Sequence, residues 1–180
     1  TTVRFAAGLG GLSMAGPTTL SRTLTLDSGS ASSLVLNANI WISGGYALTL
    51  QSTAGSVTLA GVISGLGDLR KTGAGTLTIT GTNTYTGVTT ILGGTLQTDS
   101  LGSTSSLVLG GGTLQGRTTP FSLSVPISIN SNGGGIDLSN GSITLNGNIT
   151  GSGDLTVGST NTGNELKLAG NNSAYSGALT

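Results

Sequence analysis

The sequence has no cysteine and no histidine, and only 7% of its 180 residues are charged. Without cysteine there are no disulfide staples and no thiolate metal sites. Without histidine there is no Ser-His-Asp triad, imidazole base or histidine metal cluster. Six basic and six acidic residues balance to zero net charge. Arg4, Arg22, Arg70, Lys71, Arg117 and Lys167 are too few and too scattered to neutralise a phosphate backbone, so no nucleic-acid partner is expected. Aromatics are 3% of the chain, and no apolar run approaches the ~18 residues of a membrane-spanning helix. The first residues, TTVRFAAGLGG, lack a basic segment followed by an apolar core, so no signal peptide is visible.

Glycine, at 33 residues, is abundant, and Ser, Thr and Asn supply most of the polarity. Apolar residues alternate with polar ones in LTL (24–26), LVL (34–36), LTL (48–50), VTL (57–59) and LTI (77–79). The pattern continues in LVL (107–109), ISI (127–129), IDL (136–138) and ITL (143–145). Alternation sends every second side chain to one buried face, as in a β-strand. Helix is disfavoured by the glycine load and by β-branched Thr, Val and Ile. Gly44-Gly45, Gly93-Gly94, Gly133-Gly134-Gly135 and Asn140-Gly141 punctuate the strands. Short strands at intervals of roughly 8–12 residues suit a sandwich, a barrel or a β-solenoid.

Internal repetition separates these architectures. SVTLAGVISGLGDL (56–69) matches SITLNGNITGSGDL (142–155) at an offset of 86 residues. LTITGTNTYTG (77–87) matches LKLAGNNSAYSG (166–177). Upstream, TTLSRTLTLDS (18–28) resembles TTPFSLSVPISINS (118–131), but Leu24 then pairs with Ile127 at an offset of 103. The second copy therefore lacks 17 residues, near the length of one solenoid turn. A stack can lose a turn because each turn touches only its neighbours, whereas a barrel or sandwich would lose its topology. A surface loop inserted in the first copy is the alternative.

The segment GLGDLRKTGAGTLTITGTNTYTGVTTILGGTLQ (65–97) closely resembles the autotransporter passenger-associated strand repeat. The resemblance rests on Gly65, Gly67 and Leu69; on Lys71, Gly73 and Gly75; and on Thr76, Leu77, Thr78 and Ile79. It continues through Gly81, Asn83, Thr84, Tyr85 and Gly87 to Gly94, Thr95, Leu96 and Gln97. The second copy keeps Gly151, Gly153, Leu155, Gly170, Asn172, Tyr175 and Gly177 but not the Lys-x-Gly-x-Gly step. The resemblance implies an all-β, right-handed parallel β-helix (β-solenoid). Residues 1–180 are expected to form one solenoid segment of a longer chain, with a well-matched copy at 63–97 and a degenerate copy at 149–180. It also implies an extracellular or bacterial outer-membrane-surface location, and a role as a rigid stalk or adhesion scaffold. Membrane attachment would then run only through an anchoring domain that this segment lacks.

Several residue-level expectations follow. Leu77, Ile79, Val88, Ile91 and Leu96 point inward, with the intervening threonines outward. Glycines form the corners, and Asn83 joins them in the left-handed region. Tyr85 and Tyr175 pack over equivalent corners. Lys71 and Asp68 form a solvated surface pair.

No catalytic, cofactor-binding or metal-ligating residues are expected, and no cofactor. GLSMAG (11–16) is not a nucleophile elbow, and GDLRKT (67–72) lacks the glycine of a phosphate loop. The carboxylates are Asp27, Asp68, Asp99, Asp137, Asp154 and Glu165. Asp68 and Asp154 share a repeat position and could fall on one face, but turns of roughly 4.8 Å would hold them beyond the ~5–10 Å of a glycosidase pair. GSGDL lacks the nonapeptide repeat of calcium-binding β-rolls, and a calcium site needs several carboxylates together. The chain therefore reads as a non-enzyme. Three binding modes remain as expectations. One is self-association through open helix ends, giving a fibre subunit. The others are a host-surface or polysaccharide ligand, and an ordered surface, polysaccharide or ice, bound by threonine arrays.

Overall fold

A computed structural model describes residues 2–4, 17–29, 33–118 and 120–180. Among them there is no helix. Twenty-one short strands stack in parallel into a β-solenoid of about seven turns.

Each turn contributes to three faces. The first face is an eight-stranded sheet running from Thr2–Arg4 to Ile149–Gly151. The second is a seven-stranded sheet running from Ser33–Leu36 to Leu155–Gly158. The third consists of two three-stranded sheets, Thr18–Leu20 with Ile40–Ile42 and Ile63–Gly65, then Phe121–Leu123 with Ile143–Leu145 and Leu166–Leu168. Between these sheets the chain still follows the ladder. The Thr84 amide donates to the Ile63 carbonyl at 2.8 Å and the Thr86 amide to Gly65 at 2.9 Å.

The alternation read from sequence becomes an inside and an outside. Leu34, Val57, Leu77, Leu96, Leu114 and Ile136 stand in register on the second face, all buried. Leu50, Ile91, Leu109 and Ile129 form a matching inward column on the first. Each buried aliphatic contributes roughly 1.5–3 kcal/mol by leaving water, so the interior columns hold the turns together. Corners need glycine where the backbone turns left-handed against the preceding turn. Gly65 has φ 102°, and a Cβ there would lie 2.2 Å from the Ile42 carbonyl oxygen.

Successive turns differ in length. Register partners are 18 residues apart from Thr89 to Leu107 and 24 apart from Leu24 to Leu48. This uneven pitch corrects the expected loss of a whole turn in the second copy. Leu24 and Ile127 do occupy the same first face. Three strands intervene between Leu24–Asp27 and Ser56–Leu59, but only one between Ile127–Ile129 and Ile143–Leu145. The missing 17 residues are therefore two strands of a three-strand turn. The 86-residue repeat is consequently out of phase with the solenoid. Ser56–Leu59 lies on the second face and its counterpart Ile143–Leu145 on the third; Ile63–Gly65 lies on the third and Ile149–Gly151 on the first.

Candidate functional site

The first repeat copy concentrates the polar chemistry of the interior. Lys71 lies two residues after buried Leu69 in the strand Asp68–Thr72, so alternation points it inward. It sits in the aliphatic column between Leu50 and Ile91 and is 1% exposed. Its Nζ donates to the carbonyls of Thr72 at 2.7 Å, Gly73 at 2.8 Å and Gly93 at 3.1 Å. The ammonium thus ties together the corners of two consecutive turns. Burial lowers its pKa to about 8. The expected solvated pair with Asp68 is wrong: Asp68 is exposed on the opposite side of the same strand. Its carboxylate instead accepts the Val88 amide at 2.8 Å.

A second buried device is a chain of hydroxyls. Tyr85 Oη lies 2.8 Å from Thr89 Oγ1, which lies 3.0 Å from Thr104 Oγ1. Thr104 donates to the Gly87 carbonyl at 2.6 Å. A hydroxyl carries one proton, so Thr89 must donate to Thr104 and Tyr85 to Thr89. Burial pushes the Tyr85 phenol up to about 12. Tyr85 therefore fills the interior rather than covering a corner, and Tyr175 is only partly buried.

Two more inward assignments change. Thr89 and Thr98 are buried, whereas Val88 is only half-buried. Counting back by two from buried Ile91 reaches Thr89, so the signal was present in the alternation. Leu77, Ile79, Ile91 and Leu96 are buried as expected. Asn83 is not left-handed, since no described residue other than glycine has positive φ. It works through its side chain: Oδ1 accepts the Ile63 amide at 2.9 Å.

The second copy reproduces these caps. Asn172 Oδ1 accepts the Ile149 amide at 2.8 Å, and Asp154 Oδ1 accepts the Ala178 amide at 2.9 Å. The Asn and Asp positions thus serve the same backbone groups in both copies, although the copies lie on different faces. Asp68 opens a first-face strand and Asp154 precedes a second-face strand, so the expected common face is not formed.

Asp27, Asp99 and Asp137 are structural acceptors as well. Asp27 is buried and accepts the Gly29 amide at 2.8 Å. Asp99 pairs with Arg117 and accepts the Thr118 hydroxyl at 2.9 Å. On the outside of the second face, Thr78, Gln97, Gln115 and Asp137 are linked in sequence by bonds of 3.2, 2.8 and 2.8 Å. Beside this ladder, Ser56, Thr76, Thr95 and Thr113 form an outward hydroxyl column. A shallow groove then opens where Gly133, Gly134 and Gly135 lack side chains, with Asp137 and Asp154 on its lining. No group of three or more acidic or metal-binding side chains converges among the described residues.

The family model of the passenger-associated-transport-repeat matches residues 69–98. That span runs from the Lys71 strand through the hydroxyl chain to the strand Thr95–Thr98. No curated protein and no solved structure matches the chain.

Proposed function

We propose, on the premise that this chain contains a passenger-associated-transport-repeat, that it is a structural, non-enzymatic segment of an autotransporter-like passenger. In this reading it acts at the bacterial surface or outside the cell as a rigid spacer that holds an adhesive part away from the membrane. One observation carries the reading: each of the distinctive polar residues of the repeat makes a hydrogen bond to a neighbouring turn. Lys71 bonds the next corner at Gly93, Asn83 bonds the preceding turn at Ile63, and Asp68 bonds the following turn at Val88. Groups used in this way make a stack stiff and continuous, because each turn is fixed by the next.

The test uses the full-length protein in its own cells. An antibody against this segment should label intact cells or the culture supernatant. Labelling that appears only after permeabilisation would refute the location. Removing one whole turn in frame, residues 77–95, keeps Leu96 in place of its register partner Leu77. Cells carrying that deletion should display the protein and adhere as before, with a reach shorter by roughly 4.8 Å. Loss of adhesion with display intact would show that the segment itself bears the activity.

A further inference from the structure

The single tryptophan of the chain is on the outside. Trp41 is the central residue of the third-face strand Ile40–Ile42, whose neighbours Ile40 and Ile42 point inward, and it is 51% exposed. An indole gains by burial, so leaving one on a sheet surface forfeits stabilisation that an interior position would supply. Among the described residues nothing covers it fully, and the alternation that buries its neighbours forces it out.

Its surroundings are specific. Along the stacking direction Trp41 lies between Thr19 and Ser64, and Thr84 continues the column on the next turn. Asn39 and Ser43 flank it along its own strand. Every one of these outward positions is uncharged and capable of hydrogen bonding. Among the described residues the first charges are at the adjoining corner, Arg22 and Asp68, which are of opposite sign. A protein partner would bury a contiguous apolar area. Here the exposed large apolar groups are Trp41 and, at the adjoining corner, Tyr46 and Leu66. They are too few for the roughly 800 Å² per partner of a stable protein interface. The indole itself stands in a grid of hydroxyls and an amide, spaced about 4.8 Å apart between turns.

We infer that the third face around Trp41 is a binding platform for a neutral glycan. A pyranose ring has the matching two-sided chemistry. Its axial C–H face packs on the negative face of the indole, and its equatorial hydroxyls reach outward to donors and acceptors around the rim. A charge-free platform favours an uncharged sugar, because an ionic one would lose hydration without gaining a counter-charge. This inference concerns a different surface from the repeat caps and does not depend on the spacer role.

The lone tryptophan makes the site directly observable, since all indole emission comes from it. Emission of the whole protein is measured during titration with cellohexaose, maltohexaose and mannohexaose, together with acrylamide quenching. Expected is a saturable blue shift and protection from acrylamide with at least one of them. Calorimetry on Trp41→Ala should show affinity for that sugar lowered at least about tenfold, with an unchanged circular dichroism spectrum. Trp41→Phe, which keeps a ring, should retain part of it. The inference is overturned if none of the three sugars alters emission at millimolar concentration, or if Trp41→Ala binds as well as the wild type. It is equally overturned if Trp41 is already shielded in the free protein and the mass in solution doubles with concentration, which would assign the face to a second copy.

Discussion

Replacing Lys71 tests the interior reading most sharply. Lys71→Ala removes three methylenes from a column in which Leu50 and Ile91 press on both sides. At about 0.8 kcal/mol per methylene, plus a term for the cavity left, the loss is about 3–4 kcal/mol. Lys71→Met keeps the volume of the stem and removes only the ammonium. The carbonyls of Thr72, Gly73 and Gly93 then lose their donor. All three residues are half-buried, so water reaches them and the cost is about 1 kcal/mol. Removing a buried charge offsets part of that cost. Stem packing therefore dominates: Met should lie within about 1 kcal/mol of wild type, and Ala well below it. Urea midpoints of the two variants measure this. The pH dependence is a second reading. The folded pKa is about 8, against about 10.4 in an unfolded chain. Between these values the unfolded state binds more protons, so wild-type stability relative to Lys71→Met rises with pH from about 8 towards 10. A Lys71→Ala cost below about 1 kcal/mol would refute the placement of this side chain inside the stack.

Thr89→Val strands the Tyr85 phenol and should cost about 1–3 kcal/mol, read from the same urea midpoints. Because burial raises the Tyr85 pKa to about 12, its contribution is complete below pH ~10 and is lost as pH rises towards 12. Ultraviolet titration should show a tyrosine ionising near pH 12. Asn83→Ala leaves the Ile63 amide unpaired at a buried site and should cost about 1–3 kcal/mol; amide hydrogen exchange at Ile63 should speed up accordingly. Gly61→Ala would put a Cβ 1.9 Å from the Ala38 carbonyl oxygen, whereas Gly158→Ala meets nothing within 4 Å. The first should cost several kcal/mol and the second should change stability by less than about 0.5 kcal/mol; equal thermal midpoints for the two variants would contradict the packing of adjacent turns.

Much of this was legible along the chain. Strand segments such as Ser33–Leu36 and Ile127–Ile129 announce themselves by alternation, and their buried and exposed sides follow from it. The same rule, applied strictly, places Lys71 with Leu69 and Thr89 with Ile91. The polarity of the residues obscured it. A lysine and a threonine read as surface residues until the carbonyls and hydroxyls that satisfy them are in view. Asn83 misleads differently. Its residue type suits a left-handed corner, but its use here is a side-chain bond to a residue 20 positions away, which no local preference encodes. Trp41 was legible as the outward member of its strand, although nothing local gives its neighbours Thr19 and Ser64.

The sequence by itself determined the strands, the glycine corners and the repeat, because these follow from side-chain periodicity and backbone conformational preference; the parallel stacking was implied by the resemblance of residues 65–97 to a passenger repeat. Only the tertiary structure decided which face each strand occupies. Alternation distinguishes inside from outside but does not distinguish one side of a three-sided turn from another. That assignment depends on how many strands precede a segment, and the loss of two strands from the second copy turns it by one face. The same residues, Asn and Asp at matching positions, then cap the same backbone groups on different sides of the solenoid. Their partners lie one turn away, and that relation is preserved when a copy is carried round to another face.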